Sequence, residues 1–162
     1  MDNGFVNFDF NGLCSNENGW WYLTGGKIDF DYNGLASNEY GWWQIHGGKV
    51  DFDYNGLTAN ENGWWRLAGG KIDFDYNGFA SNENGNWRVI GGKIDFNRTG
   101  VDFDGASWWR VEGGKVNTNY NGIAQNEYGW WYIRHGKVVF DFTGWTKVSS
   151  GRYYVHNGCV NR

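Results

Sequence analysis

The chain has 162 residues with a net charge of −4, no proline, 27 glycines, and 12 Trp, 10 Tyr and 11 Phe at a mean hydropathy of −0.68. Its apolar surface is therefore carried by a few large rings instead of aliphatic runs, which excludes a disordered chain. The acidic balance without a Lys/Arg cluster argues against nucleic acid as a partner, and no apolar run approaches the roughly 18 residues of a spanning helix.

One pattern returns along the whole length with a step of 22 residues. A Trp pair falls at 20/21, 42/43, 64/65, 108/109 and 130/131, becoming Asn86-Trp87 in one copy and Arg152-Tyr153 in the last. A glycine keeps the same step at Gly12, Gly34, Gly56, Gly78, Gly100, Gly122 and Gly144. A strict period of this size points to a repeat architecture whose units bury their apolar faces on neighbours. The expectation is one repeat domain over 1–162, with copies near 1–19, 20–41, 42–63, 64–85, 86–107, 108–129 and 130–151 and a partial copy at 152–162. Met1-Asp2-Asn3-Gly4 enters directly on a degenerate copy without a signal peptide, as a fragment or mature region of a larger protein would.

Within a copy, Trp21 and Leu23 alternate with Trp20 and Tyr22, and after Gly25-Gly26 the residues Ile28, Phe30 and Tyr32 alternate with Lys27, Asp29 and Asp31. Period-2 alternation on both sides of a two-residue glycine link predicts a β-hairpin with a type I′ or II′ turn. The same link recurs at Gly47-Gly48, Gly69-Gly70, Gly91-Gly92, Gly113-Gly114, His135-Gly136 and Asn157-Gly158. The register then sets Leu23 against Ile28, Trp21 against Phe30, Tyr22 against Asp29, and Trp20 against Asp31. The Trp21–Leu23–Ile28 face reads as core and the Trp20–Tyr22 face as solvated, with cross-strand ion pairs Arg66–Asp73 and Arg88–Asp95. Asn33-Gly34 turns the chain, and Leu35 to Gly41 leads to the next hairpin. The predicted fold is an all-β solenoid of stacked β-hairpins built from seven 22-residue repeats. Cys14 and Cys159 lie in the first and last copies, too far apart in an open stack for the 7 Å or so that a disulfide spans; a bridge would imply a closed ring or a pair of chains, and two unpaired thiols are the preferred reading.

Catalysis finds little support: His46, His135 and His156 fall in or beside hairpin turns with no nucleophile or carboxylate near them, and repetition itself argues against a single asymmetric site. The outer tryptophans Trp20, Trp42, Trp64, Trp108 and Trp130 are the candidate ligand-binding residues, with the carboxylates Asp31, Asp53 and Asp75 opposite them and with Trp145 in the last copy. A flat ring stacks on the C–H face of a sugar while a carboxylate takes its hydroxyls; the same ring could equally pack between neighbouring hairpins. Asp29-Phe30-Asp31-Tyr32-Asn33-Gly34 matches the opening of a calcium loop. Its alternative metal set would be Asp29, Asp31, Asn33, Asp51, Asp53, Asn55, Asp73, Asp75 and Asn77. The following glutamate falls one place short, and the strand-then-turn reading is preferred, so no metal or cofactor is expected. The pairs Asn16-Glu17, Asn38-Glu39, Asn60-Glu61, Asn82-Glu83 and Asn126-Glu127 could line a groove but suit Asx-type turns better.

The last copy reads Thr143-Gly144-Trp145, then Gly151-Arg152-Tyr153-Tyr154-Val155, then Asn157-Gly158-Cys159-Val160. This resembles the choline-binding, cell-wall-binding repeats of secreted Gram-positive proteins. The other copies also resemble the Gly-Trp-Trp-Tyr, Lys-Val-Asp-Phe repeats of secreted clostridial proteins. The resemblance implies a secreted or cell-surface attachment module without catalysis, whose partner is a cell-wall or surface glycan. It also implies a choline cage that uses the Trp of Gly-Trp. That position holds Leu13, Leu35, Leu57, Phe79, Val101 and Ile123, and only Trp145 keeps the ring. The rival from another class is a structural spacer or adhesin stalk, or a self-associating repeat protein.

Overall fold

In the computed structural model, residues 7–161 are described; Met1-Asp2-Asn3-Gly4 lies outside them. All regular structure among the described residues is β, in antiparallel pairs. Each copy supplies three strands rather than two. In the first these are β1 (Gly12–Asn16), β2 (Gly19–Thr24) and β3 (Lys27–Ile28), and in the second β4 (Gly34–Asn38), β5 (Gly41–His46) and β6 (Lys49–Val50). The Gly25-Gly26 link is the expected hairpin turn, with φ of 59° and 78°, and it pairs Leu23 with Ile28 as the alternation requires. Asn157 and His135 take the same left-handed position with φ of 49° and 52°.

Beyond that first pair the register departs from expectation. The third strand is two residues long. The ladder continues one further rung, Asp29 N–H to the Tyr22 carbonyl at 2.9 Å, and then the chain turns. The Asp29 side chain causes this, because its Oδ1 accepts the Asp31 N–H at 3.1 Å in an Asx turn that competes with the ladder. In strand register Trp21 therefore pairs with Lys49 of the next copy on one side and Cys14 on the other, although its ring still meets Phe30 edge-on at 5.9 Å, and Trp20 pairs with Ser15 instead of Asp31. Leu35 to Asn38, read as a lead-in, is part of β4.

The chain divides into two compact units, one of Met1–Tyr76 with Gly91–Lys93 and one of Asn77–Ile90 with Ile94–Arg162. Within each unit the hairpins stack as a solenoid, and the turn glycines make the join. In the first unit the Gly48 N–H donates to the Tyr32 carbonyl at 2.9 Å, while the Gly48 carbonyl accepts the Tyr22 N–H at 2.7 Å. In the second, Gly136 and Gly158 make the same two bonds, to Tyr120 and Arg110 and to Phe142 and Tyr132. Aliphatic residues close the layers. Leu13, Ala36, Ile45 and Val50 form one buried cluster in the first unit, and Leu35, Leu67 and Ile72 another. Val101, Ala124, Ile133 and Val138, then Ile123, Tyr132, Val155 and Val160, do so in the second. Ile45, Leu67, Ile133 and Val155 have no accessible surface, and each such side chain contributes about 1.5–3 kcal/mol by burial.

The position of Tyr22 is not a solvated one. Tyr22 stacks on Tyr32 with centroids 3.9 Å apart, Arg66 lies 5.1 Å over Tyr76, and Arg110 lies 4.8 Å over Tyr120. Neither expected ion pair forms: Arg66 turns to the Leu67 carbonyl and the Tyr76 ring, and Arg88 approaches Asp102 at 3.4 Å. A ring face next to the strand outcompetes a carboxylate that the Asx turn has already engaged. Cys14 and Cys159 are free thiols.

Candidate aromatic clefts

The second tryptophan of a pair is held from as many as three sides. The side-chain oxygen of Asn16, Asn38, Asn60, Asn82 or Asn126 accepts the indole N–H of Trp21, Trp43, Trp65, Trp87 or Trp131 at 2.8–3.0 Å. The same oxygen accepts the backbone N–H two residues on, so the Asn of Asn-Glu organises the loop. A phenylalanine meets the ring edge-on, as Phe52 meets Trp43 at 5.4 Å and Phe140 meets Trp131 at 5.5 Å.

The third side is a lysine ammonium from the next copy. Lys49, Lys71, Lys93, Lys115 and Lys137 lie 5.3–5.8 Å over Trp21, Trp43, Trp65, Trp87 and Trp109. Their stems cross the backbone of the preceding Gly-Trp-Trp, and a Cβ on Gly41 would stand 2.5 Å from Lys71 Cε. The series ends at Trp131. Its strand partner is Cys159, no lysine among the described residues covers its ring, and a Cβ on Gly129 would meet nothing within 4 Å.

The first tryptophan of each pair is half-buried against the core of the following copy: Trp20 on the Leu13–Ile45 cluster, Trp42 on Leu35 and Leu67, Trp108 on Ile133, and Trp130 on Ile123 and Val155. Trp64 is half-buried as well. Trp20, Trp42, Trp108 and Trp130 therefore pack in the stack. Two of them also wall a cleft. Trp20, Tyr40, Trp43, Phe52 and Lys71 line one of about 400 Å³ in the first unit. Trp108, Tyr128, Trp131 and Phe140 line one of about 260 Å³ in the second, with no charged side chain in its wall. The geometry repeats, with Tyr40 set edge-on to Trp20 at 6.2 Å and 78°, and Tyr128 to Trp108 at 5.8 Å and 81°. Tyr40 is 60% exposed and Tyr128 is 68% exposed. Sequence reasoning passed over these tyrosines. Their signal was present, because the same place holds Asn18, Asn62 and Asn84 in other copies.

Trp145 is 64% exposed in the last copy, with Tyr154 edge-on at 5.5 Å and the Arg152 guanidinium 6.0 Å from its ring centre. Asp31, Asp53 and Asp75 sit in exposed turns and line neither cleft; their backbone N–H groups donate to Asp29, Asp51 and Asp73. Asn33 and Asn55 accept the turn N–H of Gly47 and Gly69, 14 residues on, at 2.9 Å. Asn77 is exposed. Among the described residues no three His, Cys, Asp or Glu side chains converge as a metal site would require.

A choline-binding repeat model matches the chain seven times, over 9–29, 31–51, 53–73, 75–95, 99–117, 119–139 and 141–161. The chain belongs to the choline-binding repeat family. No curated protein sequence matches it. Among solved structures it is similar to CbpJ from Streptococcus pneumoniae, at 19% identity and a TM-score of 0.38, covering 94% of this chain and 52% of that one. It is also similar to choline binding protein F from Streptococcus pneumoniae in the presence of a peptidoglycan analogue, at 17% identity and a TM-score of 0.37, covering 94% and 52%. An alternansucrase in complex with isomaltononaose matches at 12% identity and a TM-score of 0.42, covering 94% of this chain and 12% of the enzyme. The chain thus spans about half the length of the choline-binding proteins it resembles. Among the described residues no helix is long and apolar enough to cross a membrane.

Proposed function

We propose that this chain is a non-catalytic attachment module that works outside the cell and holds a cell-wall or surface glycan at ring-lined clefts. The observation that carries the reading is the repetition of one cleft at Trp20–Tyr40–Trp43–Phe52 and at Trp108–Tyr128–Trp131–Phe140. Each presents an exposed tyrosine at right angles to a tryptophan, a corner against which a sugar ring or a methylated ammonium can lie. Trp145 offers a further exposed face, and Asp31, Asp53 and Asp75 can take hydroxyls from a longer glycan. In this reading Trp42, Trp64 and Trp130 act mainly in the stack.

The missing lysine favours a second ligand class at one cleft. A lysine already occupies the cation position over Trp43, whereas Trp131 faces Cys159. Choline, the family's ligand, is a methylated cation, and the Trp131 cleft suits it better than the Lys71-capped one. Tryptophan fluorescence during separate titrations with wall polysaccharide and choline tests both points. Tyr40→Ala and Tyr128→Ala remove exposed rings without opening a core, and together they should weaken polysaccharide binding by about tenfold or more. The choline response should vanish in Tyr128→Ala and in Cys159→Lys but survive in Tyr40→Ala. An unchanged polysaccharide titration in the double tyrosine variant returns the module to a structural role.

A further inference from the structure

The repeats are alike in frame but not in charge. The first 118 residues carry nine Lys or Arg against sixteen Asp or Glu, whereas residues 119–162 carry five against two. Two of those five, Arg134 and Lys147, line a groove of about 580 Å³ in the second unit, between the strands Gly129–Arg134 and Gly144–Val148. Arg134, His135, Lys147, Tyr132, Thr146 and Ser149 line it, and no carboxylate does. At the step of 22, Ser149 stands where the other loops hold Glu17, Glu39, Glu61, Glu83 and Glu127. Lys147 stands where they hold Ser15, Ser37, Ala59, Ser81 and Gln125, and Arg134 stands where the earlier copies hold Thr24, His46, Ala68, Ile90 and Glu112. The third, fourth and fifth copies carry Arg66, Arg88 and Arg110 at the position of Tyr132; what sets this copy apart is Arg134 and Lys147 together beside a loop that lacks the glutamate.

The cations in this groove are not used up internally. Among the described residues the ion pairs are Arg88–Asp102, Arg98–Asp102 and Arg110–Glu112, and neither Arg134 nor Lys147 takes part in one. Arg134 makes one contact, Nη1 to the Tyr132 hydroxyl at 3.4 Å, and that oxygen also lies 3.5 Å from Thr146 Oγ1. Burial pushes the Tyr132 hydroxyl up, but its bonds from Thr146 and Arg134 and the Arg134 charge outweigh this and hold it below the ordinary tyrosine value. Arg134 and Lys147 are both exposed, and Thr146 and Ser149 line the same groove.

We propose that this groove is an oxyanion site, taking a phosphate or a carboxylate between Arg134 and Lys147. A guanidinium offers a planar pair of donors to such a group, an ammonium adds a point charge, and the hydroxyls complete its shell. The site is separate from the aromatic clefts and stands whether or not they hold glycan. On an anionic polymer it would fix the charged substituent while a ring cleft holds the sugar.

The test is two-dimensional amide NMR of the full chain at fixed ionic strength, since screening alone would shift exposed basic groups. Glycerol phosphate, glucuronate and chloride are titrated separately. Saturable shifts confined to residues 132–135 and 146–149 with either of the first two support the site, and the one that acts names the oxyanion. Ser149→Glu restores the carboxylate of the other repeats at an exposed position and should weaken binding by about tenfold or more, as should Arg134→Gln with Lys147→Gln. The pair Tyr40→Ala and Tyr128→Ala should leave these shifts unchanged, so failure of the clefts and failure of this site are told apart. Linear shifts at every lysine, the same response to chloride, or full binding by Ser149→Glu would overturn the proposal.

Discussion

One loop residue shows how a single atom sets the site. An asparagine side-chain oxygen joins the loop backbone to the indole of the tryptophan behind it in five copies, as Asn38 does for Tyr40 and Trp43. In the fifth copy the residue is Asp104, whose carboxylate accepts the Ser107 and Ala106 N–H groups and the Trp109 indole at 2.7–2.8 Å. Those backbone bonds, Ser107 first, hold the Asp104 carboxyl below its ordinary value against a small burial effect. A carboxyl depressed by folding adds stability above its unfolded value near about 3.9, and that stability is lost as pH falls through the folded value. Glu112, depressed by the Asn117 amide and then by Arg110, adds to the same acid limb. Melting temperatures between neutral and strongly acidic pH check this: Asp104→Asn should melt slightly lower at neutrality and lose less on acidification. An equal loss in both proteins would show that Asp104 does not contribute. In sequence this residue was not singled out, because the bond it makes to Trp109 closes only once the loop is folded.

At the scale of the hairpin, the turn was legible and its surroundings were not. Gly-Gly after an alternating run has one local solution, so Leu23 against Ile28 follows from four residues. The length of the third strand depends on whether Asp29 bonds the ladder or its own loop, and the lysine caps come from the next copy, where a hairpin register cannot reach. The stack sets different demands on the two turn glycines. Gly47 has φ 56°, and its nearest neighbour to an added Cβ is the Phe30 carbonyl at 3.8 Å, while a Cβ on Gly48 would stand 2.4 Å from the Asp29 carbonyl. Gly47→Asn should therefore change stability by less than about 1 kcal/mol, as Asn157 already occupies that place. Gly48→Ala combines a left-handed residue with a backbone collision and should cost about 2 kcal/mol or more. Urea unfolding midpoints separate the two, and similar midpoints would mean the turn does not bear on the preceding copy as described.

For the whole chain, the 22-residue period made the fold class readable, yet the same regularity hid what differs between copies. Two tyrosines, one absent lysine and one carboxylate replaced by Ser149 distinguish sites that the averaged repeat would make identical. The two clefts belong to different units of one chain, which has a quantitative consequence under the proposed function. Linked weak sites bind a long polymer more tightly than either binds a fragment, by about 10²–10⁴-fold when both can engage. A short glycan fragment should bind Tyr40→Ala or Tyr128→Ala at one site fewer than the native chain, and the double variant at two fewer, as calorimetric stoichiometry reads. Affinity for the intact polymer should fall much further than by half in either single variant, because the loss removes the tether and not only a site. If each single variant instead loses no more than half of its polymer binding, the clefts act independently, and attachment rests on the number of sites without any gain from linking them.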